Sequence, residues 1–135
     1  MRPLLGRFGE GVYAIMRIVV GFLFSCHGAQ KLFGAFGGHQ ELHGLTFVGG
    51  IIEFAAGIMV AIGLFASCAA FVASGEMAVA YFRAHAPHGK LPIINHGELA
   101  VLYCFVFLYI AAHGSGRFSV DGGLFPGGSS RRNSR

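Results

Sequence analysis

The sequence is poor in charge. Asp, Glu, Lys and Arg together make up 12% of its 135 residues, whereas soluble chains contain roughly 25%. Hydrophobic residues account for 54% of the chain, and the mean hydropathy is +0.62. A chain of this length is about one domain. Its composition indicates a protein that lies in lipid and argues against an ordinary soluble domain.

Cysteine is also scarce. The three cysteines, Cys26, Cys68 and Cys104, lie one in each of three apolar segments. No CxxC or CxxCH motif occurs, so the sequence supports neither a disulfide framework nor a thioredoxin-like or c-type haem motif. A GxGxxG fingerprint and a phosphate-binding P-loop are absent as well. Electrons for any redox reaction would therefore have to come from a partner subunit.

The net charge of +4 does not predict a nucleic-acid partner, because the basic residues are scattered along the chain. Four of them follow the last apolar segment, which is typical of residues that flank membrane spans. A cleaved signal peptide is not expected either. The first apolar run contains Arg17 and lacks a small-x-small cleavage site in a polar context.

Four apolar segments predict an all-α, integral membrane four-helix bundle over residues 1–116, since about 20 apolar residues cross a bilayer. Asn95 is predicted to cap the fourth helix, with Glu98 in its first turn. Residues 117–135 are rich in Gly, Ser and Arg and are predicted to form a largely disordered cytoplasmic tail. The predicted spans are residues 12–32, 47–64, 65–84 and 97–113.

Positive charge is unequal on the two sides of the predicted bundle. By the positive-inside rule, the richer side faces the cytoplasm. Both termini are therefore predicted to be cytoplasmic, in a multi-pass protein of the bacterial cytoplasmic (inner) membrane. The richer side carries Arg2, Arg7, Arg117, Arg131, Arg132 and Arg135, and the other side carries Lys31, Arg83 and Lys90.

One face of the first predicted helix carries two cations and two glycines. At 100° per residue, this stripe contains Arg17, Gly21, Phe24, Gly28 and Lys31. The glycines allow another backbone to approach closely. Because a charge inside an apolar span is costly, Arg17 is expected to pair with Glu76 inside the bundle or to reach the cytoplasmic headgroups.

Most other ionisable residues are predicted near the outer ends of the helices. Pairing around the bundle axis would accommodate these carboxylates and bases. Such a cluster is explained either by a functional pocket or by a structural polar network. The residues predicted to contact a ligand are His27, Lys31, Glu53, Arg83 and Glu98, and those predicted to handle protons are Glu76, His85 and His96.

Two histidine pairs have the spacing of metal ligands on a helix. His85 and His88 are three residues apart, and His39 and His43 are four apart. They would converge only if both stretches were helical, and glycine and proline interrupt both. Neither a metal ion nor a haem is therefore predicted. Proton handling, or hydrogen bonding to a polar ligand, is the preferred role.

Several of these motifs together resemble the DoxX family of small bacterial membrane proteins. They are Arg17 with His27-Gly28 and Lys31-Leu32, the GAFGG loop at 34–38, Gly50 with Glu53, and the stretches 92–102 and 114–121. The resemblance implies a four-helix membrane protein, similar to the membrane subunits of thiosulfate:quinone oxidoreductase. Where family members commonly have Asn-Gly-Gly-Glu before the last span, this chain has Asn95-His96-Gly97-Glu98.

Three functions are compatible with these features. The first is a membrane component of a redox complex that holds a quinone head group in the outer polar cluster, at most as one subunit of a quinone-linked oxidoreductase. The second is proton-coupled transport of a small solute, which would need a homo-oligomer because four short helices leave little room for alternating access. The third is a membrane scaffold for enzymes. The expected partners are membrane lipid and a redox enzyme subunit.

Overall fold

Helices form all the regular secondary structure of the described residues. The computed structural model of the protein describes residues 3–126, and no β-strand occurs in that range. This confirms the predicted all-α class. The α-helices are α1 (Gly9–Phe33), α2 (Gly44–Ile62), α3 (Ala66–Ala80), α4 (Pro92–Asn95), α5 (Glu98–His113) and α6 (Val120–Leu124). The segment Gly6–Phe33 and α2 are each long and apolar enough to cross a membrane, and α5 is a shorter apolar helix.

The four long helices pack in pairs around a shared apolar core. Helix α2 contacts both α1 and α3, and α3 also contacts α5. Small residues on α3 bring it close to α5, where the Ser74 hydroxyl donates a hydrogen bond of 2.8 Å to the Cys104 carbonyl. Interhelical bonds of this kind are typical of helices that pack in membranes. The most deeply buried apolar residues are Phe24, Val60, Ala66, Ala70, Ala73, Phe107 and Ile110.

The connections between the helices are short at one end and irregular at the other. Only residues 63–65 separate α2 from α3, as expected for a tight hairpin. At the other end, α3 continues as a π-helix, Tyr81–His85, and α4 precedes the turn into α5. Asn95 was predicted to cap α5, and this is wrong, because Gly97 takes that position. The Asn95 carboxamide oxygen instead accepts a hydrogen bond of 2.9 Å from the Gly97 amide.

Helices α1 and α2 approach closely at glycine. A Cβ atom placed on Gly57 would lie 2.7 Å from the Gly21 carbonyl oxygen, and one on Gly28 would lie 2.7 Å from the Gly50 carbonyl oxygen. Both distances are too short for a real carbon atom, so these positions cannot carry a side chain without moving the helices apart. The stripe that contains Gly21 and Gly28 therefore faces inward, as its periodicity predicts.

Arg17 is buried at the end of α2, with 1% of its surface exposed. Its guanidinium donates to the Val60 carbonyl at 3.1 Å and to the Phe118 carbonyl at 2.6 Å. Carbonyls at a helix C-terminus carry partial negative charge and favour a cation there. Neither expected partner is correct, since backbone carbonyls bind Arg17 in place of Glu76 or headgroups. Gly63, at φ 75°, leaves room for the guanidinium, because a side chain there would overlap it.

The first part of the predicted tail is ordered against this end of the bundle. The Asp121 amide donates a hydrogen bond of 3.0 Å to the Gly63 carbonyl. Ser119 caps α6 by accepting from the Gly122 amide at 3.0 Å. These contacts differ from the expected disorder because the Arg17 guanidinium and the α2–α3 turn supply partners for the backbone. The remainder of the predicted tail, with Arg131, Arg132 and Arg135, lies outside the described residues.

The Asp121 carboxylate lies at the start of α3. The Ser115 hydroxyl donates to one oxygen. The other oxygen faces the Phe65 and Ala66 amides at a looser geometry than a full hydrogen bond. Burial alone would raise the pKa of this carboxyl. The hydrogen-bonding groups and the positive charge of Arg17 outweigh it and hold the pKa of Asp121 below its usual value.

The glycine contact predicts a large difference between two Gly→Ala substitutions in α1. We expect Gly28→Ala to lower the free energy of unfolding by about 1 to 3 kcal/mol, because it overpacks the interface with α2. Gly11→Ala is the matched control, since its Cβ would meet nothing within 4 Å. It should raise stability by about 0.5 to 1 kcal/mol. Chemical unfolding in detergent micelles, followed by circular dichroism, measures both. Equal effects would contradict the close approach.

Asp121→Asn should destabilise the fold at neutral pH by about 1 kcal/mol, the usual effect of losing an interaction at a helix N-terminus. Because the pKa of Asp121 is lower in the folded chain, its contribution is complete above the unfolded pKa of about 4 and is lost as pH falls through the folded pKa. The difference between wild type and variant should therefore shrink in acid. Thermal unfolding at several pH values tests this, with the exposed Glu41→Gln as control. A constant difference down to the most acidic pH would argue against it.

Candidate functional site

An ion pair joins α1 to α2 inside the bundle. The Lys31 ammonium donates to Oε1 of Glu53 at 2.7 Å. The Glu53 side chain is 3% exposed, whereas that of Lys31 is 32% exposed. The carboxylate is therefore buried, and the ammonium lies between it and the surface. Both residues were predicted as ligand contacts, and the structure brings them together.

Glu76 of α3 lies next to this ion pair. Lys31 and Glu53 are its charged neighbours. Gly49 provides the space, since a Cβ atom on it would lie 3.1 Å from Oε1 of Glu76 and 3.9 Å from Nζ of Lys31. Lys31, Glu53 and Glu76, contributed by three different helices, are named the Lys31 cluster below. Glu76 thus belongs to the end of the bundle opposite Arg17.

The Lys31 cluster contains more acceptors than the protein uses. Oε2 of Glu53 and Oε2 of Glu76 are both buried, and no protein group among residues 3–126 donates a hydrogen bond to either. One ammonium also cannot balance two carboxylates, so the neutral form of the cluster holds one proton. The cluster can therefore bind a proton and can accept hydrogen bonds from a ligand.

Aromatic rings border the Lys31 cluster on the side of α5. Tyr103 is buried, and Glu53 and Cys26 are among its titratable neighbours. The His27 ring meets the Tyr103 ring edge to face, with centroids 6.0 Å apart. The Phe24 ring packs at a tilt against the same Tyr103 ring, with centroids 5.2 Å apart. His27, a predicted ligand contact, thus packs against a buried ring that has Glu53 among its titratable neighbours.

Three other predicted site residues lie apart from this cluster. Arg83, His96 and Glu98 are exposed, and no hydrogen bond or ion pair within residues 3–126 joins them to it. Glu98 instead lines an open groove of about 400 Å³ with Pro92 and Leu102. Arg83 follows Glu76 by seven residues, a spacing that predicts one shared face on an α-helix. The π-helix after Ala80 changes the helical phase and removes this alignment. Their predicted roles in ligand binding and proton transfer rest on the sequence alone.

His85 takes part in a separate polar network at the π-helix. Its Nδ1 atom lies 3.2 Å from the Asn95 carbonyl oxygen. The buried Asn95 carboxamide donates to the Tyr81 hydroxyl at 3.2 Å and to the Gly89 carbonyl at 2.9 Å. π-Helical turns occur frequently at functional sites, and the predicted role of His85 in proton handling stays a prediction. Across residues 3–126, no three His, Cys, Asp or Glu side chains are grouped as metal ligands would be.

Two members of the site were missing from the sequence prediction, Tyr103 and Gly49. Tyr103 could have been found from periodicity, because it shares its buried face with Phe107 and Ile110 at i, i+4 and i+7. Gly49 could not, since its role depends on where a side chain of another helix ends. Gly50, which the sequence places with Glu53, instead packs against α1.

Comparison with known proteins shows that the Lys31 cluster lies in a part of the chain that matches a protein family. The sequence model of the DoxX family matches residues 12–86, a range that contains His27 and the whole Lys31 cluster. A protein of Haemophilus influenzae, named only as an uncharacterized protein, is 41% identical over 120 residues. The alignment covers 83% of this chain and 90% of that protein. No solved structure matches the chain.

The ion pair predicts a non-additive response to substitution. Lys31→Met should lower the free energy of unfolding by about 3 to 5 kcal/mol, because it leaves two carboxylates without a cation. Adding Glu53→Gln should recover part of this loss, since it removes one of the unpaired charges. Chemical unfolding in detergent micelles gives the coupling, with Glu41→Gln as the exposed control. Additive losses in the double variant would mean that the two residues do not interact.

Proposed function

The chain belongs to the DoxX family, and from that premise we propose that it is a multi-pass protein of the bacterial cytoplasmic membrane that binds a quinone head group at the Lys31 cluster. It acts there as the membrane component of a redox-linked complex. Both termini face the cytoplasm. The observation that carries the proposal is the pair of buried carboxylate oxygens that no protein group satisfies.

The outer surface of the helices supports the location. Large apolar side chains project outward from all four long helices, and exposed apolar surface of this extent is typical of contact with lipid. Helix α3 and its π-helical extension together run over residues 66–85, about the length of a membrane span. Outward-facing residues include Val19, Phe22, Leu23, Ile51, Ile58, Phe71, Val72, Leu102 and Phe105.

The hydrogen-bonding groups of the Lys31 cluster suit both redox forms of a quinone. A quinone carries two carbonyl acceptors, for which the partly exposed Lys31 ammonium is a donor. The reduced quinol carries two hydroxyl donors, for which Oε2 of Glu53 and Oε2 of Glu76 are acceptors. The half-buried His27 ring offers apolar surface for the head group, and the buried Tyr103 ring packs against it. Two free acceptors against one donor favour the quinol form.

Proton exchange is the chemistry that these residues would contribute. Reduction of a quinone to a quinol takes two electrons and two protons. The electrons would come from a redox-active partner subunit, since this chain carries no cofactor motif in its sequence. The neutral cluster would supply one proton from a free oxygen of Glu76 or Glu53, and the second proton would come from water. Lys31 would hold the remaining carboxylate charge in place.

Proton-coupled transport is a second candidate, and the same free oxygen of Glu76 favours it. A carboxyl that is buried among helices and can bind a proton is a feature of proton relays. Reconstitution into liposomes separates the two functions. Proton flux that requires Glu76 and proceeds without quinone would support transport in place of quinone binding.

Calorimetric titration with ubiquinone-1 and ubiquinol-1 tests the proposal. We expect the quinol to bind more tightly than the quinone. Glu53→Gln and Glu76→Gln should each weaken quinol binding at least about tenfold, because each replaces a charged acceptor. Glu41→Gln is exposed and should leave the affinity unchanged. Gly49→Val should also weaken binding, since its side chain would enter the space beside Glu76.

The proposal fails if neither form binds to folded wild-type protein. It also fails if both forms bind but Glu53→Gln and Glu76→Gln have no more effect than Glu41→Gln. In the second case the ligand lies elsewhere on the protein. Circular dichroism of each variant establishes that a lost affinity does not reflect lost structure.

A further inference from the structure

A basic groove lies at the end of the bundle opposite the Lys31 cluster. Its volume is about 390 Å³. It forms where the chain leading into α1 meets the segment that follows α5. This groove does not include any residue of the Lys31 cluster. The side chains that determine its chemistry are Arg7, Phe8, Glu10, Ile15, Arg117 and Phe118.

The charge of the groove is positive by one unit. Arg7 and Arg117 contribute two guanidinium groups and Glu10 one carboxylate. Glu10 is already engaged within the protein. One of its oxygens accepts from the Arg117 amide at 3.1 Å, and the other lies 4.0 Å from the His113 ring. A monoanion would therefore complete the charge balance of the groove, and a guanidinium is well suited to bind a phosphate.

The protein positions the Arg7 side chain and the Arg117 backbone at the groove. The Arg7 guanidinium lies over the Phe8 ring, 4.5 Å from its centroid. Arg117 is positioned through its backbone, because Glu10 accepts from its amide. The next carbonyl, that of Phe118, accepts from buried Arg17. Buried Arg17 therefore fixes the segment after α5 that carries exposed Arg117.

The remaining walls of the groove are apolar and open outward. Phe8 is 52% exposed, Ile15 65% and Phe118 59%. These side chains continue from the two arginines along the outer face of α1, next to exposed Val12. A ligand that fills the groove would thus place an anionic group at one end and hydrocarbon along the helix.

We propose that this groove binds an anionic phospholipid, whose phosphodiester contacts Arg7 and Arg117 and whose acyl chain lies along Ile15. The inference rests on the membrane location given under the proposed function, but not on quinone binding. A phospholipid with one phosphodiester and an uncharged headgroup has a net charge of −1, which matches the groove charge of +1. Basic pockets at the cytoplasmic ends of transmembrane helices attract anionic headgroups in the same way.

Native mass spectrometry of the full chain in detergent micelles tests the site with phosphatidylglycerol and phosphatidylcholine. We expect one phosphatidylglycerol to be retained in preference to phosphatidylcholine. Arg7→Ala and Arg117→Ala should each weaken phosphatidylglycerol binding about fivefold, the effect of one basic residue near an anionic headgroup. The matched control is Lys90→Ala, which removes one positive charge from an exposed residue outside the groove.

Three results would overturn the lipid site. The first is equal retention of both lipids by wild type. The second is a loss with Lys90→Ala as large as that with Arg7→Ala, which would indicate general charge attraction. The third is that inorganic phosphate alone displaces phosphatidylglycerol at low millimolar concentration, which would indicate a site for free phosphate. Arg7 precedes α1 and is exposed, so its variant remains informative if Arg117→Ala disturbs the segment.

Ubiquinol-1 titration of Arg7→Ala separates this proposal from the previous one. The Lys31 cluster does not contain groove residues, so its affinity should be unchanged. Intact quinol binding with no lipid preference overturns the lipid site alone. Lipid preference without quinol binding overturns the proposed ligand of the Lys31 cluster and leaves the groove supported.

Discussion

The close approach of α1 and α2 at glycine is the constraint on which both polar regions depend. Gly21 and Gly28 let the backbone of α2 pass at a distance that no side chain would permit. Side chains adjacent to such a contact reach the partner helix over short distances. Lys31 therefore reaches Glu53 at 2.7 Å, and Arg17 reaches the Val60 carbonyl at 3.1 Å. Wider helix spacing would leave both cations without acceptors in an apolar environment.

The two cations of α1 have different surroundings and so serve different purposes. Arg17 is bound by neutral backbone carbonyls that are fixed by the fold. This arrangement holds the segment after α5 against the bundle, and the Asp121 carboxylate of that segment is a charged neighbour of Arg17. Lys31 is bound by the side chain of Glu53 and lies close to a second carboxylate. Side-chain partners can change protonation state and position, which suits Lys31 for binding and Arg17 for structure.

The inward face of α1 could be predicted from sequence because helical periodicity alone determines it. The contacts that residues make between helices were harder to predict. Arg17 binds backbone carbonyls, which every residue has, so no side-chain pattern points to them. Glu76 was expected as a partner of Arg17. In the structure it lies in the last turns of α3 and faces Lys31. Arg83 lost its alignment with Glu76 at a π-helix that no residue pattern predicts.

The two free oxygens of the Lys31 cluster support the proposed ligand-binding role over a purely structural network. A buried acceptor without a hydrogen bond costs about 1 to 3 kcal/mol, and the cluster contains two such oxygens, on Glu53 and Glu76. Polar contacts between helices in membranes contribute on average about 0.6 kcal/mol. Each free oxygen therefore costs more than an average interhelical polar contact contributes. A ligand that donates hydrogen bonds to these two oxygens would remove that cost, as the proposed binding of a quinol requires.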